Sequence, residues 1–360
     1  MICRFGDVVR EVKKKIDRNN NPYKYYIAGN HMDTDELRLL RKGNFATDDV
    51  GPAFIRLFKP GQVLYGSRRT YLRKVAVADF EGVTANTTFV LETKDESKFT
   101  QRLLPFLMQS ERFTNHSILH SKGSTNPYVL FSDLCDFEFE LPPMEKQREL
   151  ADVLWSVEDT RIAYKELAEA TEELVKSRFI EMFGDPVMNP MGWEVRRLDT
   201  ICENLDSKRI PIKSGNRKAG IYPYYGASGI VDYVEDYIFD ERLLLVSEDG
   251  ANLLMRSTPI AFSVSGKIWV NNHAHVLRFN DEALQCFVEN YFAMVDISNM
   301  ITGSAQPKLN QQKLNEMMLP IPNQKQLDGY LAFIQQTDKS KFDKIERSSS
   351  CLMKIIPRKK

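Results

Sequence analysis

The sequence repeats itself, and this repeat limits the folds that the chain can adopt. Each copy contains a Gly-Ser-x-x-Pro motif, a leucine, an aliphatic residue followed by proline, and a glutamine that opens a long stretch. In the first copy these are Gly123–Pro127, Leu134, Leu141-Pro142 and Gln147. In the second copy they are Gly303–Pro307, Leu314, Ile321-Pro322 and Gln324. The copies match at an offset of 180 residues and, after a three-residue deletion, at 177. We therefore expect two similar halves with a pseudo-two-fold relationship.

Each copy ends in a heptad pattern that predicts a long helix. Hydrophobic positions spaced by four and three residues place one seam along one face of a helix. The first seam begins with Leu150, Leu154 and Val157. The equivalent positions of the second seam, 177 residues later, are Leu327, Leu331 and Ile334. A helix of about 40 residues spans roughly 60 Å, which exceeds a single globular core and suits a coiled coil.

The charges favour pairing of the two helices. The whole chain has 49 basic and 49 acidic residues. The central helical segment nevertheless has a net charge of −4 and the C-terminal segment one of +5. Opposite charges along the flanks of two helices favour their association. The alternative is that each helix packs only on its own domain.

The segment before each helix has the pattern of a mixed α/β domain. Apolar and β-branched runs predict six strands. They are Gln62–Tyr65, Val75–Ala78, Thr87–Leu91, Leu243–Val246, Ile260–Val264 and His275–Phe279. A helix is predicted at Glu282–Val295. The predicted fold class is α+β, with domains at residues 1–142 and 184–322 and long helices at residues 143–183 and 323–360.

Membrane insertion and secretion find no support in the sequence. The unbroken aliphatic runs, such as Leu243–Val246, are far shorter than the roughly 20 residues of a membrane helix. The start of the chain does not read as a signal peptide. The five cysteines are scattered and include no C-x-x-C pair, which is typical of reduced thiols in a cytoplasmic protein.

No catalytic motif is recognisable in the sequence. The phosphate-binding loop, the nucleophile elbow, the zinc-protease motif and the signature of amino-methylating enzymes do not occur. The pairs His116/His120 and His273/His275 lack further ligands at convincing spacing, so no metal site is predicted. Glu248-Asp249 has the chemistry of a magnesium site, but the end of a strand before a turn explains it better. We predict no catalytic residue and no metal or cofactor in this chain.

Two stretches without acidic residues have the composition of a nucleic-acid interface. Gly51–Ala78 and Ser207–Val231 combine basic side chains with tyrosines, which suits contact with phosphates and base edges. The predicted DNA contacts of the first are Lys59, Arg68, Arg69, Tyr71, Arg73 and Lys74. Those of the second are Lys208, Arg209, Lys213, Arg217, Lys218, Tyr224 and Tyr225, with Asn272 and His273 added from a later turn. An ordinary solvated loop is the alternative for either stretch alone.

One segment argues against strong DNA binding by the second domain. Asp232–Asp249 holds seven acidic residues and one basic residue. The domain at residues 184–322 has a net charge of −4 as a result. It would have to turn its acidic side away from DNA or rely on a partner for phosphate contacts.

Over essentially its whole length the chain resembles the specificity subunits of type I restriction–modification systems. The segments that carry the resemblance are Met182–Pro186 with Gly192-Trp193, Tyr222–Gly229, Asp249–Asn252, Val270–His275, Gly303–Leu309, Lys59–Gly66, and Pro142-Pro143 with Gln147. The resemblance implies two target recognition domains, each reading one half of a split double-stranded DNA site. It also implies that the two long helices form an antiparallel coiled coil between them.

The resemblance further implies a non-catalytic subunit with partners. Adenine methylation and DNA cleavage would belong to separate modification (methyltransferase) and restriction subunits, which would bind S-adenosylmethionine, ATP and magnesium. The second helix begins with Pro322-Asn323-Gln324 and lacks the double proline of the first, which puts partner docking at that end in doubt. The alternative function is a stand-alone or silent DNA-recognition module used for domain shuffling, without active partner subunits.

Overall fold

The computed structural model describes residues 2–303 and 305–337. The chain divides into two compact units, one up to Arg161 and one from Ile162 onward. The division falls inside the central helix, and the domain limits at residues 142, 183 and 322 stay predictions. Within the described residues, no helix combines the length and the apolar character needed to cross a membrane.

The central helix runs from Met144 to Phe183, as predicted. Pro142 and Pro143 precede it. Because a proline disfavours the helical conformation of the residue before it, the helix begins after this pair. Gln147 anchors its first turn, because the buried side-chain amide donates to the carbonyl oxygens of Lys98 and Pro142, both at 2.9 Å. Gly184 ends the helix in the left-handed region at φ +76°, a conformation that glycine adopts without strain.

The first unit contains two four-stranded sheets and one two-stranded sheet. Its strands are β1 Ile2–Arg4, β2 Val9–Glu11, β3 Tyr25–Ile27, β4 Gly43–Asn44, β5 Phe54–Phe58, β6 Val63–Gly66, β7 Val75–Val77, β8 Gly82–Ala85, β9 Thr88–Thr93 and β10 Glu138–Glu140. The larger sheets have the orders β2-β9-β6-β7 and β4-β3-β8-β5, and β1 pairs with β10. One neighbouring pair, β3 and β8, is parallel.

The second unit repeats this topology strand for strand. Its strands are β11 Glu194–Arg197, β12 Glu203–Asn204, β13 Ala219–Gly226, β14 Gly229–Val234, β15 Phe239–Asp240, β16 Leu243–Ser247, β17 Ala261–Val264, β18 Lys267–Val270, β19 Ala274–Arg278 and β20 Met318–Ile321. The orders are β12-β19-β16-β17, β14-β13-β18-β15 and β11-β20. Adding ten to each strand number in the strand orders of the first unit gives the strand orders of the second unit. The duplication seen in the sequence therefore extends to strand pairing.

Short helices complete both units. In the first unit they are Phe5–Val8, Leu104–Gln109, Glu111–Leu119 and Phe131–Cys135. In the second they are Asn252–Met255, Glu282–Met294 and Gln311–Asn315, and residues 324–337 are also helical. The helix predicted at Glu282–Val295 is therefore confirmed to within one residue. Residues 338–360, on which the remainder of the predicted C-terminal helix falls, lie outside the described residues.

The six predicted strands are present, with ends within two residues of the prediction. The six predicted strands did not include the antiparallel hairpin that Ala219–Gly226 and Gly229–Val234 form, which lies largely within the stretch Ser207–Val231. The glycines, tyrosines and proline of this stretch hide its strand character because few of its residues are aliphatic.

Within the second unit the two long helices contact each other in antiparallel sense. The ring centroids of Phe179 and Phe183 lie 5.8 and 5.2 Å from that of Tyr330. The Arg178 guanidinium lies 5.8 Å from the ring centroid of Phe333. Higher residue numbers on the C-terminal helix thus meet lower numbers on the central helix.

The predicted seam residues pack within their own units. Leu327 is buried in the core of the second unit, and Leu331 and Ile334 pack against it. Leu150 and Leu154 pack against the core of the first unit, while Val157 is 42% exposed. The helix-pairing role of Leu150, Leu154 and Val157 stays a prediction.

Candidate DNA interface

In both units the Gly-Ser-x-x-Pro segment is hydrogen-bonded to one loop, which follows β6 in the first unit and β16 in the second. In the first unit the loop that follows β6 is tied by two backbone hydrogen bonds. Arg69 N donates to the Pro127 carbonyl at 2.6 Å, and Val129 N donates to the Ser67 carbonyl at 2.9 Å. Arg69 has a φ of +51°, a conformation that costs a non-glycine residue energy and so indicates a loop fixed by its surroundings. The loop presents a defined surface.

Three predicted residues of the first unit form this exposed surface. Arg68, Arg69 and Tyr71 are exposed, and within the described residues neither arginine has an ion-pair partner. The Arg68 guanidinium lies 5.9 Å from the Tyr128 ring centroid. Unpaired arginines beside tyrosines suit contact with phosphates and with guanine edges.

The other three predicted residues of the first unit have different surroundings. Arg73 forms an ion pair with Asp35 at 2.7 Å and donates to the Gln109 carbonyl. Burial, followed by the charge of Arg69, lowers the pKa of Lys74, whose ammonium donates to the Gly29 carbonyl. Lys59 precedes β6 whereas Arg68 follows it, so the two residues lie at opposite ends of that strand.

In the second unit the equivalent loop follows β16. Gly250 N donates to the Pro307 carbonyl at 3.0 Å, and Leu309 N donates to the Glu248 carbonyl at 2.8 Å. The backbone of Asp249 forms an isolated antiparallel β-bridge with that of Lys308, and Arg68 forms the equivalent β-bridge with Tyr128 in the first unit. Asp249 is therefore the structural equivalent of Arg68, although the two side chains have opposite charges.

A cleft beside this loop brings together five of the predicted contacts. Its volume is about 760 Å³. The predicted residues that line it are Lys213, Arg217, Tyr224, Asn272 and His273. Asp249 and the backbone of Gly226–Ser228 also line it. The sequence separates these residues by up to 60 positions, and the pairing of β13 with β18 brings their segments together.

Tyr224 and Arg217 form a wall of the cleft. Tyr224 is 1% exposed, and its hydroxyl accepts from Ile212 N at 2.9 Å. The Arg217 guanidinium lies 4.6 Å from its ring centroid and 3.3 Å from the Asp232 carboxylate. Tyr224 thus lines the cleft with an almost completely buried ring, and its DNA contact stays a prediction.

His273 lies at the rim of the same cleft. Its Nδ1 is 2.9 Å from Asp249 Oδ2, and its side chain is 47% exposed. Its backbone N–H donates to Asn271 Oδ1 at 2.8 Å, and its carbonyl accepts from Glu248 N at 2.9 Å. These contacts fix the ring through its Nδ1 side, and the side chain is about half exposed.

The remaining predicted residues of the second unit differ in their exposure and in their contacts within the protein. Lys208 and Lys213 are exposed. Lys218 forms an ion pair with Glu235 at 2.8 Å, and the resulting hydrogen bond and charge raise the pKa of Lys218. Tyr225 is half-buried next to Phe262, and burial raises the pKa of its hydroxyl.

Arg209 belongs to a buried charge network that sequence reasoning missed. Its guanidinium lies 2.6 Å from Glu248 and 3.4 Å from Asp206, and its side chain is 12% exposed. These two carboxylates occupy its guanidinium in the structure, and the DNA contact of Arg209 stays a prediction. Glu248 forms a further ion pair with Lys308 at 2.9 Å, which connects the loop after β16 to the Gly-Ser-x-x-Pro segment.

His275 lies at the centre of this network. Its Nδ1 is 2.5 Å from Asp206 Oδ2, and its Nε2 is 2.8 Å from the Leu309 carbonyl oxygen. Burial opposes ionisation of Asp206, but the hydrogen bond and charge of His275, the Val276 N–H and Arg209 together lower its pKa. Both ring nitrogens thus lie within hydrogen-bond distance of an oxygen, the Asp206 carboxylate on one side and the Leu309 carbonyl on the other.

Asp206, Glu248 and His275 also have the spacing of metal ligands, since their donor atoms lie within 4.8 Å of one another. Each of these atoms already has a protein partner in Arg209, Lys308 or the Leu309 carbonyl. Two cationic side chains at such distances oppose a bound cation. We therefore describe the group as a structural charge network.

A family model for the type I restriction modification DNA specificity domain matches residues 3–172 and 190–357. The two matches cover both units and most of the chain. The chain belongs to this family.

Known members of the family differ in how much of this chain they match. A type I restriction enzyme specificity subunit of Methanocaldococcus jannaschii, MjaIX, is 23% identical over 86% of this chain and 77% of its own length. A putative specificity subunit of Haemophilus influenzae is 35% identical over 36% of this chain. The chain spans only 33% of the length of the latter protein.

One solved structure has a similar fold. The type I restriction–modification S subunit of M. genitalium has a TM-score of 0.60 with 13% identity, and the similarity covers 100% of this chain and 96% of that one. At this identity the likeness concerns the fold alone.

Proposed function

We propose that this chain is the DNA-recognition subunit of a type I restriction–modification complex. It reads a split double-stranded DNA site, one half-site with each unit, and directs partner subunits to methylate adenine and cleave DNA. The observation that carries the proposal is the duplicated loop after β6 and β16. In both units the Gly-Ser-x-x-Pro segment fixes this loop next to predicted DNA contacts.

In this proposal the exposed residues of the two surfaces offer different chemical groups to DNA. In the first unit, Arg68 and Arg69 provide donors for phosphates and guanine edges. In the second, Asn272, His273 and Lys213 provide a mixture of amide, imidazole and ammonium groups. We assign Tyr224, Arg209 and Arg73 to support of these surfaces, since each is occupied by contacts within the protein.

Catalysis belongs to partner subunits in this proposal. Methyltransferase subunits would bind S-adenosylmethionine, and restriction subunits would bind ATP and magnesium. Assembly with both would take place in the cytoplasm. The family membership supports this division of labour, and so does the lack of a recognisable catalytic motif in the sequence.

The test is to map methylated adenines across the genome of a host that carries this gene together with the gene of a methyltransferase subunit. We expect a methylated motif with two short half-sites and an unread spacer, and we expect the motif to disappear when this gene alone is deleted. A methylation pattern that is unchanged by the deletion would favour the alternative of a silent or stand-alone module.

A further inference from the structure

The surroundings of His273 determine which of its nitrogens carries a proton. Nδ1 lies 2.9 and 3.0 Å from the two oxygens of Asp249. Because a carboxylate only accepts hydrogen bonds, Nδ1 is the donor in this pair. The other nitrogen of the neutral ring, Nε2, is then an acceptor. Within the described residues Nε2 has no hydrogen-bond partner, and the side chain is 47% exposed.

The position of the ring is fixed from three directions. Asn271 accepts from the backbone N–H of His273, and Asn271 is itself buried and held by a hydrogen bond from its own N–H to the Tyr225 carbonyl at 3.0 Å. The His273 carbonyl accepts from Glu248 N, and Asp249 holds the side chain. Groups that recognise a ligand with high selectivity are held in this way by their neighbours.

The equivalent position in the first unit has the opposite hydrogen-bonding character. Arg68 lies where Asp249 lies in the second unit, two residues after the end of the strand. An arginine side chain only donates, whereas the Asp249 carboxylate only accepts and holds His273, whose neutral ring then presents Nε2 as an acceptor. In the major groove, guanine offers acceptors, while adenine N6 and cytosine N4 offer amino donors.

We infer that His273, positioned by Asp249, selects a base that presents an exocyclic amino group, adenine or cytosine, in the half-site read by the second unit. This inference rests on the proposed function. His273 contacts the base through Nε2, and Asp249 is a positioning residue that accepts from Nδ1–H and so fixes the tautomer in which Nε2 of the neutral ring is the acceptor. Asn272, which is exposed on the same cleft, provides a neighbouring amide.

The experiment selects bound duplexes from a randomised DNA pool, with the full chain in complex with its methyltransferase subunit. The preference at every position is compared for the wild type, His273→Ala, Asp249→Ala and the double variant. Asp199→Ala is the matched control, because Asp199 pairs with Arg197 at 2.7 Å on an exposed surface away from the cleft. Thermal unfolding of each variant checks its fold.

We expect the wild type to prefer adenine or cytosine at one position of one half-site. Each single variant should weaken this preference on the order of tenfold, the effect of one lost hydrogen bond. The double variant should lose no more than either single variant, since Asp249 acts through His273. The other positions and the control variant should keep the wild-type preferences. Whether adenine or cytosine is preferred identifies the amino group.

Three results would overturn the inference. One is an unchanged preference in His273→Ala, and another is a wild-type preference for guanine or thymine at the affected position. A third is additive loss in the double variant, which would show that Asp249 acts independently. If Asp249→Ala does not fold, His273→Ala alone decides, because its side chain is half exposed. A wild-type complex that selects no split motif at all would instead contradict the proposed function.

Discussion

His273 and His275 are two residues apart and have opposite surroundings. The first is half exposed on the cleft, whereas the second is completely buried between Asp206 and the Leu309 carbonyl. A buried carboxylate that loses its cationic partners, or a buried cation that loses its carboxylate, is costly for stability. His273 is therefore free to take part in the proposed recognition, whereas the buried network of His275 serves the stability of the second unit.

The residue-scale prediction concerns Asp206→Ala. We expect this substitution to lower the free energy of unfolding of the second unit by about 3 kcal/mol, because His275 and Arg209 would stay buried without their carboxylate. Chemical denaturation measures the change. Asp199→Ala, which removes an exposed carboxylate, should leave the unfolding curve unchanged. Equal effects of the two substitutions would contradict the role of the network.

The pH dependence of Asp206 follows from the lowered pKa. A carboxyl whose pKa is lower in the folded state contributes stability above its unfolded pKa of about 3.9 and loses it as the pH falls through the folded value. The difference between the wild type and Asp206→Ala should therefore be constant near neutral pH and shrink below about pH 4.

Buried polar contacts such as these could not be predicted from the sequence. Arg209 and Glu248 are 39 residues apart, and only the folded sheet brings them together. In the sequence, Arg209 looks like any other basic residue of its stretch. Arg68 and Arg69, which the sequence predicted as DNA contacts, are exposed, because a run of basic residues without acids rarely enters a core.

At the scale of elements, the antiparallel contact of the two long helices centres on Tyr330. Its side chain is completely buried against Phe179 and Phe183, and within the described residues its hydroxyl has no hydrogen-bond partner. Burial is the largest cause that raises the pKa of this hydroxyl. An unpaired buried polar group lowers stability, so its removal should be neutral or favourable.

We expect Tyr330→Phe to leave the free energy of unfolding unchanged or to raise it by about 1 kcal/mol. Tyr330→Ala should instead lower it by about 3–5 kcal/mol, since it empties the space between the helices. Thermal denaturation of both variants distinguishes the loss of a ring from the loss of a hydroxyl. A marked destabilisation by Tyr330→Phe would mean that the hydroxyl has a partner that this account lacks.

The helices and the longer strands were predictable because their patterns are local. Heptads and the Gly184 stop define Met144–Phe183, and apolar runs define the six predicted strands. The strand prediction, which relied on apolar runs, did not include the hairpin at 219–234, because this segment has few aliphatic residues. Its parallel pairing with β18, which positions Tyr224 opposite Trp269, depends on contacts 45 residues apart. This pairing forms the cleft, so the cleft could not be derived from local patterns.

At the scale of the whole molecule, charge determines how the chain meets DNA. The second domain has a net charge of −4, and several of its basic side chains are paired within the protein. We expect the isolated chain to bind DNA weakly, with a small dependence on salt, because few phosphates are neutralised. Adding the methyltransferase subunit should raise the affinity and steepen the salt dependence. Tight, sequence-specific binding by the isolated chain at physiological salt would contradict this prediction.

The central claim is that the two units read separate half-sites independently. The most direct measurement replaces residues 184–322 with the equivalent segment of a relative of different specificity and maps the methylated motif in the host. We predict that one half-site changes, while the other half-site stays as in the wild type, because each unit has its own sheets and its own loop. A change in both half-sites, or a continuous motif without a spacer, would contradict the account.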